Sequence, residues 1–202
     1  MDTHFSYGRE IQSLDVALVD DEFGVVRILR SILSGLGVAR VRTFSSPKAA
    51  LQALLSEPPD MLLTNTQLGP FGGSKLVRMI RHRDMTPLCF VPAVVVSGCA
   101  RRRMVEESFL AGAHQFLVLP LSPKVFRRRV EWLLGDNRKL LLQGEHYVIE
   151  GVDEIVAASR GIPNRPRVLK EAAARTPLPE GLSPPIDQSV AATDAVENFW
   201  EI

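Results

Sequence analysis

Cysteine is scarce in this chain: Cys89 and Cys99 are the only two in 202 residues. Their separation fits neither a metal-ligand pair nor a disulfide framework. An excess of one charge is missing too, since the formal net charge is +1, which gives no general argument for nucleic acid or an anionic membrane surface. No apolar run approaches the ~18 residues that a membrane span requires, and the N-terminus has no signal-like apolar stretch. A reduced, cytoplasmic setting is the expectation. His4, His82, His114 and His146 are scattered without ligand spacing. No nucleophile–base pair or phosphate-cradling glycine loop accompanies the acids, so enzymatic chemistry is not expected. A recognisable DNA-binding motif is also absent.

What remains is an alternation of short apolar runs and amphipathic stretches, which predicts a parallel sheet with helical crossovers. Buried strands are expected at Leu14 to Val19, Met61 to Thr64, Pro92 to Val96 and Gln115 to Leu119, with the β-branched Pro92 to Val96 run central. Arg40 to Phe44 is less apolar and is expected at a sheet edge. Val25, Leu29, Ile32, Leu33 and Leu36 recur at helical spacing, and Gly35 and Gly37 supply an end signal. Ser46 before Pro47 gives a helix N-cap with proline in the first turn. The helix after Gly73 turns Leu76, Val77 and Ile80 inward and Lys75, Arg78 and Arg81 outward. Arg101 to Ala111 and Lys124 to Leu134 complete five strand–helix units.

The expected organisation is a flexible arm over residues 1–12, an α/β domain over 13–135, an extension packing on or near it over 136–150, and a tail over 151–202. From Gly151 onward there are six prolines and no sustained periodicity, so most of that tail is expected to be disordered. Its last segment, from Gly181, carries Asp187, Asp194, Glu197 and Glu201 without lysine or arginine, and ends Phe199-Trp200-Glu201-Ile202.

Several separated motifs give this chain a family resemblance. Asp20-Asp21 follows the first strand, Asn65 ends the third in Leu62-Leu63-Thr64-Asn65-Thr66, and Ser97 ends the fourth. Gly112-Ala113 precedes the fifth strand, which contains Phe116 and is followed by Leu119-Pro120. From Leu14 to Leu134 the chain resembles the receiver domain of two-component response regulators. That resemblance implies a doubly wound five-stranded parallel sheet in the order 2-1-3-4-5, the flavodoxin-like arrangement. It also implies that Asp20 and Asp21 match the family's magnesium-binding acids, and that Asn65 stands at the phosphoacceptor position. Ser97 and Phe116 fall on the positions that respond to the phosphoryl group, and Leu119 stands where the family has lysine.

Two of these positions depart from the family pattern. A carboxylate oxygen can attack phosphorus, whereas an amide oxygen is a far poorer nucleophile and carries no charge for a metal. Leucine at 119 has no donor for phosphoryl oxygens, and is expected to pack into the site and exclude water. The resemblance therefore implies a degenerate pseudo-receiver, with no cofactor beyond a weak Mg2+ site at Asp20 and Asp21.

Each feature has a plainer reading. Asp20 and Asp21 also suit a helix N-terminus, Phe116 suits a core, and Asn65 suits a hydrogen bond to either acid that relieves carboxylate crowding. Arg101-Arg102-Arg103 and Arg127-Arg128-Arg129 suit solvated helix faces. They also lie on the fourth and fifth helices, near the surface receivers commonly use for partners. They are therefore candidates for an acidic partner, a homodimer or the chain's own acidic tail. Phe199 and Trp200 are candidates for a docking motif. The leading expectation is a phosphorylation-independent interaction module whose partners are a histidine kinase, another receiver or an output protein. The alternatives are a conditional receiver sensing metal or ligand through Asp20 and Asp21, and a regulator touching nucleic acid through the arginine runs.

Overall fold

The structure, a computed structural model, describes residues 3–69 and 72–159. Phe199 and Trp200, with the rest of 160–202, lie outside the described residues. Five strands form one parallel sheet: β1 (Asp15–Val19), β2 (Arg40–Phe44), β3 (Met61–Asn65), β4 (Ala93–Ser97) and β5 (Gln115–Val118). Their order is β2-β1-β3-β4-β5, as expected. Every residue of β4 is buried, while the charged β2 sits at one edge.

The helices are α1 (Phe23–Gly35), α2 (Pro47–Ser56), α3 (Gly73–Ile80), α4 (Arg102–Leu110) and α5 (Pro123–Leu134). Helix α2 starts where Ser46 Oγ accepts from Ala49 N at 3.2 Å with Pro47 in the first turn. The same Ser-Pro device starts α5, where Ser122 Oγ accepts from Val125 N at 3.3 Å. In both, a side-chain oxygen satisfies an orphan N–H and proline presets the backbone. Alternate strand residues feed two apolar layers. Leu29, Leu33, Phe126 and Leu133 fill the α1–α5 side, and Leu54, Leu76, Ile80 and Phe109 fill the α2–α3–α4 side.

Three sequence expectations need revision. The segment before β1 is packed: His4 and Ser6 are buried, Phe5 N donates to Phe90 O at 3.1 Å, and Gly8 N donates to Leu134 O at 2.8 Å. Its polar composition concealed this, because the partners are main-chain groups distant in sequence, at the end of α5 and before β4. Arg81, expected outward, is 0% exposed. It follows the last turn of α3, where its side chain reaches the carbonyls of Gly112, Cys89 and Val91 at 2.8–3.0 Å. Finally, ordered structure continues past residue 150.

That continuation begins with an antiparallel hairpin, β6 (Leu140–Gln143) and β7 (His146–Ile149), followed by a sixth helix, α6 (Val152–Ser159). Leu140, Ile149, Val152 and Val156 are buried in the α2–α3–α4 layer, and α6 lies against α4. No helix of the described residues is long and apolar enough to cross a membrane.

Candidate functional site

The strand register assembles the site at the carboxyl end of the sheet. Val19 pairs with Thr64, so the next residues, Asp20 and Asn65, emerge side by side. Asn65 in turn pairs with Val96, and Ser97 with Val118, which brings Ser97 and Leu119 to the same end. Gly73 opens α3 directly beneath. A Cβ at that position would lie 2.1 Å from Asn65 O and 2.8 Å from Thr64 Oγ1; only glycine lets the helix start so close to β3.

Asn65 is fixed from both sides. Its Nδ2 donates to Asp20 Oδ1 at 3.2 Å and Oδ2 at 3.1 Å. Its Oδ1 accepts from Gln67 N at 3.1 Å and from Thr66 Oγ1 at 3.4 Å. Because the main-chain N–H of Gln67 can only donate, it determines which amide atom faces Asp20. Asp20 is 2% exposed, and its Oδ1 also accepts from Glu22 N at 2.9 Å. Burial raises the Asp20 carboxyl above the ordinary aspartate value, the Glu22 N–H and the Asn65 amide oppose the rise, and the charges of Asp21 and Glu22 add to it. Asp21 points elsewhere, accepting from Gly69 N at 3.1 Å.

The other family positions are also engaged. Ser97 Oγ accepts from Thr66 Oγ1 at 2.9 Å and from Cys99 N at 3.3 Å. Leu119, which is joined to Pro120 by a cis peptide bond, is partly buried against the α1–α5 apolar layer. Its N–H donates to Ser97 O at 2.8 Å. Phe116 is buried in the opposite layer as a core residue. The arginine runs lie on α4, with Arg101 at its N-cap, and on α5; Arg102 pairs with Glu106, Arg103 with Glu107, and Arg127 with Glu131 within their helices. Thr66, Gln67, Gly69 and Gly73 were not singled out from sequence as site residues. The Gly72-Gly73 pair was the one visible signal, because Gln67 and Gly69 contribute main-chain atoms that any residue carries.

A divalent cation does not fit this arrangement. Magnesium needs converging oxygen ligands in near-octahedral geometry, yet the hydrogens of the Asn65 amide point at the Asp20 carboxylate where a cation's charge would act. Asp21 Oδ2 and Asn65 Oδ1 are committed to main-chain N–H groups. Among the described residues no group of three His, Cys, Asp or Glu side chains is placed to hold a metal.

Comparison with known proteins agrees with the fold. The response regulator receiver domain profile matches residues 16–131. The chain is 26% identical to the chemotaxis protein CheY of Pseudomonas aeruginosa over 118 residues, covering 58% of this chain and 94% of that protein. A putative response regulator from Chloroflexus aurantiacus superposes with a TM-score of 0.56 at 27% identity, covering 61% of this chain and 99% of that structure. The receiver domain of the Pseudomonas aeruginosa sensor histidine kinase PA1611, solved with a magnesium ion coordinated in its active-site cleft, shares the fold at 21% identity and a TM-score of 0.56, covering 61% of this chain and 99% of that one. With the profile spanning more than half of the sequence, this chain belongs to the response regulator receiver domain family.

Proposed function

We propose that the chain is a pseudo-receiver: a non-catalytic interaction module of two-component-type signalling that works without phosphorylation at residue 65. One observation carries this reading. The amide of Asn65 donates to both oxygens of Asp20, so the side chain that would be the attacking group is instead a neutral clamp on the neighbouring acid. An amide oxygen is a poor nucleophile, and this one already accepts from Gln67 N. Leu119 packs on the apolar layer and offers no donor to phosphoryl oxygens. A phosphoryl signal therefore has neither an acceptor nor a cationic partner here, and no phosphate-driven bias acts on the domain.

The partners this reading calls for are other signalling proteins: a histidine kinase, another receiver or an output protein. Nucleic acid is disfavoured, since three of the six arginines in the two runs, Arg102, Arg103 and Arg127, pair with glutamates one turn away. Incubation with acetyl phosphate, followed by intact mass and a base-lability test, checks the proposal. No adduct is expected, and a base-labile phosphoryl group mapped to residue 65 would overturn it.

A further inference from the structure

The hairpin that follows α5 has one paired edge and one open edge. Its facing residues are Gln143 and His146, Leu142 and Tyr147, Leu141 and Val148, and Leu140 and Ile149. In an antiparallel pair, facing residues alternate between exchanging both main-chain hydrogen bonds and exchanging none. Glu150 N donates to Lys139 O at 2.9 Å, so Leu141 and Gln143 turn their main-chain groups toward β7 while Leu140 and Leu142 turn theirs away. The same alternation turns Glu145 and Tyr147 away from β6, and there they are met. Arg83 N donates to Glu145 O at 2.9 Å, and Tyr147 N donates to Arg81 O at 2.8 Å. The outer edge of β7 is thus paired, whereas among the described residues nothing bonds the outward N–H and C=O of Leu142.

Composition does not guard that open edge. Proteins blunt such edges with lysine, proline or a bulge, yet β6 reads Leu-Leu-Leu-Gln. Leu141 and Leu142 are 41% and 49% exposed. Charge stands only at the two ends, with Lys139 just before the strand and Glu145 in the turn after it, both exposed. A segment that runs from positive through apolar to negative complements itself when reversed. A second β6 laid antiparallel about Leu142 sets Lys139 opposite Glu145 of the other copy, twice by symmetry. Laid parallel and in register, it would set lysine opposite lysine, which is destabilising.

We propose that β6 is a self-association edge, pairing antiparallel with β6 of a second copy about a two-fold axis at Leu142. Leu142 of each copy then exchanges both main-chain hydrogen bonds with its counterpart, Leu141 lies opposite Gln143, and the two hairpins join into one sheet. Leu140 keeps its side chain in the core of its own copy. The contact lies on the extension rather than on the arginine-bearing helices, and it requires no particular chemistry at residue 65. So short a contact falls at the small end of interfaces, and the dimer it makes is weak and concentration-dependent.

Sedimentation equilibrium of the full chain over a concentration series reads the association. Leu142→Pro removes the outward N–H without touching a bond to β7, at the kind of edge position where proline is tolerated. It should weaken the dimer by at least ~10-fold, since two hydrogen bonds are lost by symmetry. Lys139→Glu should weaken it too, and adding Glu145→Lys to that chain should restore it. A monomer at every concentration, a dimer indifferent to Leu142→Pro, or no recovery on the second charge change would each overturn the proposal. A cross-link gives a reading that does not depend on how the proline variant folds. The Cα atoms of a hydrogen-bonded antiparallel pair lie ~5.5 Å apart, within disulfide reach. In a Cys99→Ser background, Leu142→Cys should give a covalent dimer on mild oxidation, whereas Leu55→Cys, at a site on α2 that is 46% exposed, should not. No cross-link from the first, or equal cross-linking from both, would reject the axis.

Discussion

At the carboxyl end of the sheet a buried carboxylate, Asp20, is met by a single side-chain amide. At the amino end a fully buried cation, Arg81, is met among the described residues not by a carboxylate but by the carbonyls of Gly112, Cys89 and Val91, with His114 Nδ1 at 3.4 Å. Around Arg81 the structure is closed. His114 Nδ1 also faces Ala93 N at 3.4 Å, and its ring stands edge-on to His4 at 5.2 Å. His4 in turn reaches Leu133 O at 2.9 Å. Gly112, at φ +97, leaves no room for a side chain, since a Cβ there would sit 2.7 Å from Arg81 Cγ. The difference bears on how each end can change. The first end is joined by hydrogen bonds between residues at the ends of adjacent strands. The second end ties together loops that share no local sequence, so its groups act as one structural unit.

The largest expected effect breaks the amino end. Arg81→Met would leave three buried carbonyls without donors, at an expected cost of about 3–5 kcal/mol, read from urea denaturation midpoints. A loss under about 1 kcal/mol would mean that the cation is not what joins these loops.

Acid should unlock the same end next. Burial holds both His4 and His114 below the ordinary histidine value of 6.5, with Arg81 adding to the depression in each. The unfolded chain therefore takes up these protons first as pH falls through 6.5, and stability drops from there toward the lower folded values. Of the groups facing His4, Asp136 opposes this shift. A pH series of urea midpoints should show the decline, and His4→Gln should make it shallower. A profile flat between neutrality and moderate acid would contradict the neutral, buried assignment.

At the carboxyl end, Asn65→Asp replaces two hydrogen bonds to Asp20 with a third carboxylate. We expect a loss of about 1–3 kcal/mol at neutral pH, partly recovered by millimolar Mg2+ in a thermal shift assay, whereas wild type should not respond. Phosphorylation of the variant should stay poorly coupled to conformation while Leu119 remains. Full phosphorylation-dependent switching by this single change would show that Leu119 does not block the coupling.

The smallest effect on stability belongs to the surface. Reversing Arg127, Arg128 and Arg129 to glutamate should shift stability by less than about 1 kcal/mol while weakening partner capture or self-association, measured by pull-down and light scattering. Unchanged association would place the interface elsewhere.

The sequence alone carried the sheet, because apolar alternation, helical spacing and the Ser46-Pro47 cap each act within a few residues. It also carried Asn65, Ser97 and Leu119 to the site, since parallel strands in a known order deliver their C-terminal residues to one end. Tertiary structure decided what those residues do there. The Asn65 amide faces Asp20 because Gln67 N occupies its other atom, and Asp21 turns away to Gly69. The packed N-terminal segment, the inward turn of Arg81 and the docking of α6 were likewise settled by groups far away in the chain. A polar residue looks the same in sequence whether water or a distant carbonyl satisfies it, and only folding selects between the two.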